Sequence, residues 1–462
     1  MNSFLLNRQL GSISHQALAT AQNDRQLRSL QAAPDIQFVR ERPAVDEDQD
    51  GAQRYPRVAV AAKPHAAGVS SIAIDRFEGR YLLSAGADSS VAIWDLESAP
   101  PSADGKTLHA PLTHVPRTST TESLGITHTT FYPFDSLAFL TTGYDHTLKL
   151  FSSETLQPSA TFDLGSIVYS HATSPIASHL LVACASQHPA VRLVDLRSGS
   201  STHSLAGHSG AVLSVAWHPS EENILVSGAT DGCIRTWDVR RSASSLGVLD
   251  MDDSIGVAGY DGKGTGARQR ERGRAHNGVV NGIVWSEDGR YLVSTGHDER
   301  MRVWDMVAGA NTLANFGPAL KNAQMTGLVP LLTPKHLTAA GKEMVFYPNP
   351  KEILSFDLHA GKLLSRLRVT TPQQHEGSTS TGTRNLIPRT TSLAWRAHHV
   401  EMFSAHADGE IRCWQPRTWE DRLKEDEDEE SAEGEAEHER KRKREELEQI
   451  VRDLSGKRVT YS

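Results

Sequence analysis

A serine, a histidine and an aspartate recur in this chain at spacings that invite a catalytic reading. His208, Ser227 and Asp231 hold the parts of a nucleophilic triad, in which an imidazole draws a proton from a hydroxyl while a carboxylate orients the ring. Trp237 follows the aspartate by six residues. The set returns as His276, Ser294, Asp298 and Trp304, and again as His65, Ser84, Asp88 and Trp94. In each copy the Ser stands four residues before the Asp and the Trp six after it. An enzyme needs one such nucleophile, so a set repeated three times reads as scaffold. A His linking a turn Asp to a Ser hydroxyl that also accepts from an indole N–H satisfies polar groups that would be costly if buried alone. These twelve residues are expected to be structural, and no catalytic residue, metal ligand or cofactor is assigned.

The elements that carry them are short. From His208 to Arg240, the runs 212–217, 224–227 and 233–237 are apolar or alternating, and His218-Pro219 and Thr230-Asp231-Gly232 break them. Three such runs between turn residues read as antiparallel strands, and the Gly-His opening with a Trp-Asp close is a propeller-blade signature. Weaker copies keep part of the frame. They are Thr141, Asp145 and Phe151; Ser404, Asp408 and Trp414; 191–195 with His188 at the turn; and 343–357 around a Pro-Asn-Pro turn. Seven units fit, which predicts an all-β, seven-bladed propeller spanning 57–416. Residues 57–62 belong to no unit, and an open sheet edge is a liability. They are therefore expected to supply the outer strand of the last blade.

The flanks differ in character. Residues 1–30 have helix-forming composition and suit either a frayed cap or a partner-docking helix, since short helices are marginal alone. Residues 31–56 read as a linker. Stretches 98–122, 243–275 and 370–388 are rich in Pro, Ser, Thr, Gly or Arg and read as mobile insertions between strands. Gly262 to Gly266 lacks the context of a phosphate loop. The chain ends in a charged tail, 417–462, whose composition shifts after Trp419: 420–439 carries twelve acids against two bases, and 440–462 eight bases against four acids. The tail thus holds −6 of the chain's net −8, leaving the body near neutral and arguing against a nucleic-acid-binding field. Arg440 to Arg444 suits a nuclear import signal or a solvated charged helix. No apolar run reaches the roughly 18 residues of a membrane helix. Three cysteines (Cys184, Cys233 and Cys413) without ligand spacing suggest small apolar side chains in a reducing compartment.

One feature distinguishes the blades. Trp237-Asp238-Val239-Arg240 places an Arg just past the third strand, and the blades ending at Trp94 and Trp304 have none there. This box resembles the adaptor-binding box of propeller substrate receptors in cullin-4 RING ubiquitin ligases. More specifically, the chain resembles the Cockayne syndrome group A family. The likeness is carried by Phe4-Leu5 with Arg8-Gln9, by 78–81 with Leu83-Ser84, and by Asp145 with 147–149. It continues through 236–241, 275–278, 301–304 and 311–313. It runs to about residue 416, missing the insertions and the tail.

The resemblance implies a nuclear, non-enzymatic substrate-recognition subunit acting in transcription-coupled nucleotide excision repair. Its partners would be the three-propeller damaged-DNA-binding adaptor, a Cockayne syndrome group B-type translocase and RNA polymerase II. No small-molecule substrate, membrane or direct nucleic-acid contact is expected. By the same resemblance Phe4, Leu5, Leu6 and Arg8 would anchor the N-terminal helix on the adaptor, with Trp237, Asp238 and Arg240 facing it. The alternative is a chromatin or histone-tail-binding propeller unconnected to a ligase.

Overall fold

A computed structural model describes residues 6–7, 9–11, 14–40, 63–98, 107–115, 124–176, 178–241, 245–251, 273–339, 341–368, 389–396 and 398–417. The chain divides into two units, 1–415 and 416–462. Residues 418–462 lie outside the described residues, as do 57–62 and Gly262 to Gly266.

The first unit is a seven-bladed propeller of four-stranded antiparallel sheets. Blade 1 is Val69–Ile74, Tyr81–Gly86, Val91–Asp95 and Pro111–Val115. Blade 2 is Ile126–Tyr132, Asp135–Gly143, Thr147–Ser152 and Pro158–Asp163. Blade 3 is Val168–Thr173, Leu181–Ser186, Ala190–Asp195 and Ser200–Ala206. Blade 4 is Val212–Trp217, Ile224–Ala229, Ile234–Asp238 and Ser245–Leu249. Blade 5 is Val280–Trp285, Tyr291–Gly296, Arg300–Asp305 and Ala310–Asn311. Blade 6 is Leu331–Leu332, Met344–Pro348, Ile353–Asp357 and Leu363–Leu367. Blade 7 takes Thr390–Trp395, Met402–His406 and Ile411–Pro416 from the far end of the unit. Its outer strand comes from the N-terminal side, Leu30–Ala32.

The apolar pattern follows from blade stacking. A middle strand is covered on both faces by neighbouring blades, so Val91–Asp95 and Met344–Pro348 are buried along their whole length. An outer strand such as Pro158–Asp163 is wet on one side, and its burial alternates. Seven apolar clusters result, one at each junction between successive blades. Leu140, Leu148 and Val182 fill that between blades 2 and 3, for example, and Ile72, Trp94 and Phe403 that between blades 7 and 1. Side-chain hydroxyls on the innermost strands stitch neighbours together. Thr391 Oγ1 donates to the Val69 carbonyl at 2.6 Å and Ser170 Oγ to that of Leu213 at 2.9 Å. Blade 6, the most eroded in sequence, has only a two-residue inner strand. The chain before it is held instead by Asn281, whose Nδ2 donates to Asn322 Oδ1 at 2.9 Å and to two backbone carbonyls.

Ring closure differs from the sequence expectation. The outer edge of blade 7 is filled by Leu30–Ala32, not 57–62, and Ala33 N donates to the Cys413 carbonyl at 3.0 Å. The stretch 31–56 is accordingly not all linker: Ile36–Phe38 forms a second strand, parallel to Thr107–His109 beyond blade 1. Phe38 is buried between Trp94 and Phe403 and stacks on the His109 ring. The N-terminal segment thus clasps both blades that meet at the seam. Ahead of it, α1 (His15–Arg28) is capped by Ser14, whose Oγ accepts from Ala17 N. Its Leu27 is buried among Leu30, Phe346 and Trp414. The insertions also carry structure: 98–122 holds Thr107–His109 and the outer strand of blade 1, and 243–275 holds that of blade 4. Within them 99–106, 116–122, 243–244 and 252–272 lie outside the described residues, as does 370–388.

Candidate functional site

Antiparallel strands give the propeller two faces of different chemistry. The His residues that precede blades 1, 4 and 5, and the Asp turns between second and third strands, lie on one face. The opposite face carries the ends of the third strands, with Asp95, Asp238 and Asp305. We call them the histidine face and the arginine face.

The repeated set on the histidine side forms three buried chains of hydrogen bonds. In blade 4, Trp237 Nε1 donates to Ser227 Oγ at 2.7 Å, Ser227 meets His208 Nε2 at 2.8 Å, and His208 Nδ1 faces Asp231 at 3.1 Å. Blade 5 repeats it with Trp304, Ser294, His276 and Asp298 at 2.9, 2.8 and 2.9 Å. Arg302 adds a further donor to Asp298 at 2.8 Å. Blade 1 differs in one link: Trp94, Ser84 and His65 are joined as before, but Ser90 Oγ is inserted between His65 Nδ1 and Asp88.

Each turn Asp also accepts from backbone N–H groups, as Asp231 does from Ser209 and Cys233. Burial alone would raise these carboxyls. The donors outweigh it, holding Asp231 down to about 2 and Asp88 and Asp298 well below the ordinary carboxylate range. Every Ser hydroxyl is fully buried between its His and its Trp, so none is presented to a substrate.

Blade 7, which has no His ahead of its first strand, recruits one from within the sheet. His406 Nε2 pairs with Ser404 Oγ at 2.8 Å, and Trp414 Nε1 donates to the same oxygen at 2.8 Å. Burial, then the nearby Arg412 charge, pushes His406 down to about 3.

On the arginine face, Asp238 is buried and accepts two hydrogen bonds from Arg240, at 3.0 Å from Nε and 2.8 Å from Nη2. The Arg240 side chain remains 69% exposed. This fork on a buried carboxylate lowers Asp238 and fixes the guanidinium in one orientation on the surface. Trp237 does not belong to that surface. Its ring is fully buried in the blade 4 chain, so the same side chain cannot also face a partner. Asp238 is likewise buried, and its carboxylate accepts from Arg240. Of the N-terminal anchors, Phe4, Leu5 and Arg8 lie outside the described residues. Leu6 is exposed and sits with exposed Leu10 on a single helical turn, closed by Leu10 N donating to the Leu6 carbonyl.

Sequence reasoning missed that blades 1 and 5 also place an Arg on this aspartate, by a different route. Arg80 forks onto Asp95 at 2.6 and 3.1 Å, and Arg290 reaches Asp305 at 3.2 Å. Both lie in the turn before the second strand, in matching Gly-Arg-Tyr-Leu segments at 79–82 and 289–292. In blade 4 that position is Asn223, opposite Asp238 through the Ile224 pair. Its aspartate is thereby left to Arg240.

The comparisons agree with this architecture. The family model described as WD domain, G-beta repeat matches residues 60–95, 199–238 and 269–305, the blades with complete four-residue chains. The Arabidopsis thaliana protein named WD repeat-containing protein ATCSA-1 is 30% identical over 425 residues, covering 79% of this chain and 89% of that protein. The ribosome biogenesis protein ytm1 of Neurospora crassa is 28% identical over 265 residues, about half of each chain. DDB1- and CUL4-associated factor 13 of Dictyostelium discoideum is 28% identical over 103 residues, 22% of this chain and 18% of its own. Only the first likeness runs through nearly the whole relative, and on it the chain belongs to the WD40-repeat family that includes ATCSA-1.

Proposed function

We propose that the chain is a non-enzymatic substrate-recognition subunit of a cullin-4 type ubiquitin ligase in transcription-coupled nucleotide excision repair. It docks by its arginine face and N-terminal helix onto the three-propeller damaged-DNA-binding adaptor. Its targets are a Cockayne syndrome group B-type translocase and RNA polymerase II, and it works in the nucleus. The observation that carries this reading is Arg240, an exposed guanidinium held rigid by the buried Asp238. A fork ordered before binding loses little freedom when it meets acceptors on a partner. Two further facts support it. Helix α1 is polar and exposed along most of its length, as is a helix awaiting a surface. A relative matched over 89% of its own length carries the ATCSA-1 name.

The test is affinity purification of the tagged full chain from cells, with adaptor quantified by mass spectrometry. Adaptor should accompany the wild-type chain, and Arg240→Ala should lower its recovery by about tenfold, the loss of one charge-assisted contact. Melting temperature should not change. A chain that brings down no adaptor, or an Arg240→Ala protein that retains all of it, overturns the proposal. A second reading, a scaffold in ribosome assembly, is favoured by the ytm1 likeness over half the chain. It predicts pre-ribosomal particles in the same purification.

A further inference from the structure

The innermost strands enclose an axial channel of about 610 Å³, and its lining is nearly free of charge. Hydroxyls and amides dominate its polar wall, with Ser70, Thr127, Ser214 and Asn281 among them. His128 and His171 also line it and contact each other, Nδ1 to Nδ1 at 3.3 Å. Burial pushes His128 down to about 4, and burial with the His128 neighbour holds His171 well below its ordinary value, so both rings are neutral at cellular pH. Among the described residues no Asp or Glu lines the channel, and one Arg does, Arg389.

Arg389 stands where the channel opens on the histidine face, beside the turn residues Ala87, Tyr144 and Ala407; its carbonyl accepts from Ala407 N at 2.7 Å. The guanidinium is half-buried. Among the described residues no carboxylate bears on its charge, only the Tyr144 phenol, which in turn neighbours Tyr169. Five Arg of the blades are paired instead: Arg80, Arg240, Arg290, Arg302 and Arg412 each meet an Asp. A desolvated cation without a counter-charge is costly, and an anion entering the mouth would relieve that cost.

We propose that this mouth receives an acidic side chain from a partner protein, its carboxylate held by Arg389 between the hydroxyls of Tyr144 and Tyr169. The channel behind is narrow, hydrogen-bonding and uncharged, and takes the neighbouring backbone and small polar groups of an extended segment. This rests on the substrate-receptor reading for its partner being a protein. It adds the chemistry by which the histidine face selects that partner, on the side away from Arg240.

The probe is a fluorescein-labelled decapeptide of alternating glutamate and glycine, titrated by anisotropy against the full-length protein. Matched peptides carry glutamine or phosphoserine in place of glutamate. The glutamate peptide should bind at least about tenfold more tightly than the glutamine peptide. Arg389→Gln should remove that preference and Arg389→Lys retain part of it. Arg197→Gln, on the other face, should leave it intact. All variants should melt with the wild type.

Equal affinity for glutamate and glutamine, or a preference that survives Arg389→Gln, overturns the site. A stronger preference for phosphoserine that Arg389→Gln abolishes overturns the carboxylate in favour of a phosphate. Adaptor recovery with the Arg389→Gln chain is measured in parallel. Because Arg389 lies on the opposite face, loss of the peptide with adaptor retained locates a failure here rather than in the ligase reading.

Discussion

Ser294 is a small side chain with two demanding neighbours. Its hydroxyl accepts from the Trp304 indole and meets the His276 ring, both fully buried. Ser294→Ala would orphan both at once, and each buried unsatisfied group costs about 1–3 kcal/mol. Urea unfolding should show a loss of about 2–6 kcal/mol with little change in m, whereas Arg240→Ala should leave the midpoint where it is. The turn carboxylates make the same chain sensitive to acid. Asp231 has a folded pKa of about 2 against an ordinary 3.8, so it contributes stability that is fully present above about pH 4. That contribution fades as the pH falls from 4 toward 2. Asp231→Asn should therefore melt lower than wild type at neutral pH, and the gap should narrow on acidification over that window. These chains could be read from spacing alone because each repeats in register. His406 could not, since its ring enters from the second strand, two residues after the Ser it serves. Arg80 and Arg290 were hidden similarly: they precede the second strand, while attention to the end of the third strand finds Arg240 and not them.

At the scale of elements, regular strands were legible and the short ones were not. Runs of five or six residues such as 212–217 carry a period that can be counted. Leu30–Ala32 and Ile36–Phe38 are three residues each, too few for any period to show. Leu30-Gln-Ala also continues the helix-forming composition before it, so the chain gives no local sign of leaving α1. What ends the helix is tertiary: Leu27 and Leu30 are buried against Phe346 and Trp414, which only the assembled ring provides. The alternating 57–62 offered a stronger local strand signal for a position already filled by Leu30–Ala32. Phe38 carries much of the clasp, being buried between rings of blades 1 and 7. Phe38→Ala should cost about 3–5 kcal/mol, as truncation of a buried aromatic does. A cost below about 1 kcal/mol in chemical denaturation would show that Leu30–Ala32 closes the seam unaided.

The whole ring is a closed cycle in which each blade buries its apolar faces on two neighbours, so one open junction exposes two surfaces. Six junctions join segments that follow each other in sequence, and the seventh joins the two ends of the first unit. Contacts across it span more than 300 residues, such as that from Thr391 to Val69, so it closes late and depends most on the N-terminal strand. Removal of residues 1–13 leaves α1 and both clasp strands in place and should not lower the melting temperature. Removal of 1–40 takes Leu27, Leu30 and Phe38 from the seam together. It bares the edge of Ile411–Pro416, a template for unwanted pairing. The shortened chain should melt markedly lower and aggregate on heating. Because the missing strand pairs by backbone hydrogen bonds on an exposed edge, a synthetic peptide of residues 14–40 should bind in trans and raise the melting temperature with increasing concentration. The same peptide with Phe38→Ala should do so less well. If it restores nothing while the truncated ring melts as the wild type does, the seam is closed by blades 7 and 1 themselves. The N-terminal segment would then be a passenger on a ring already complete.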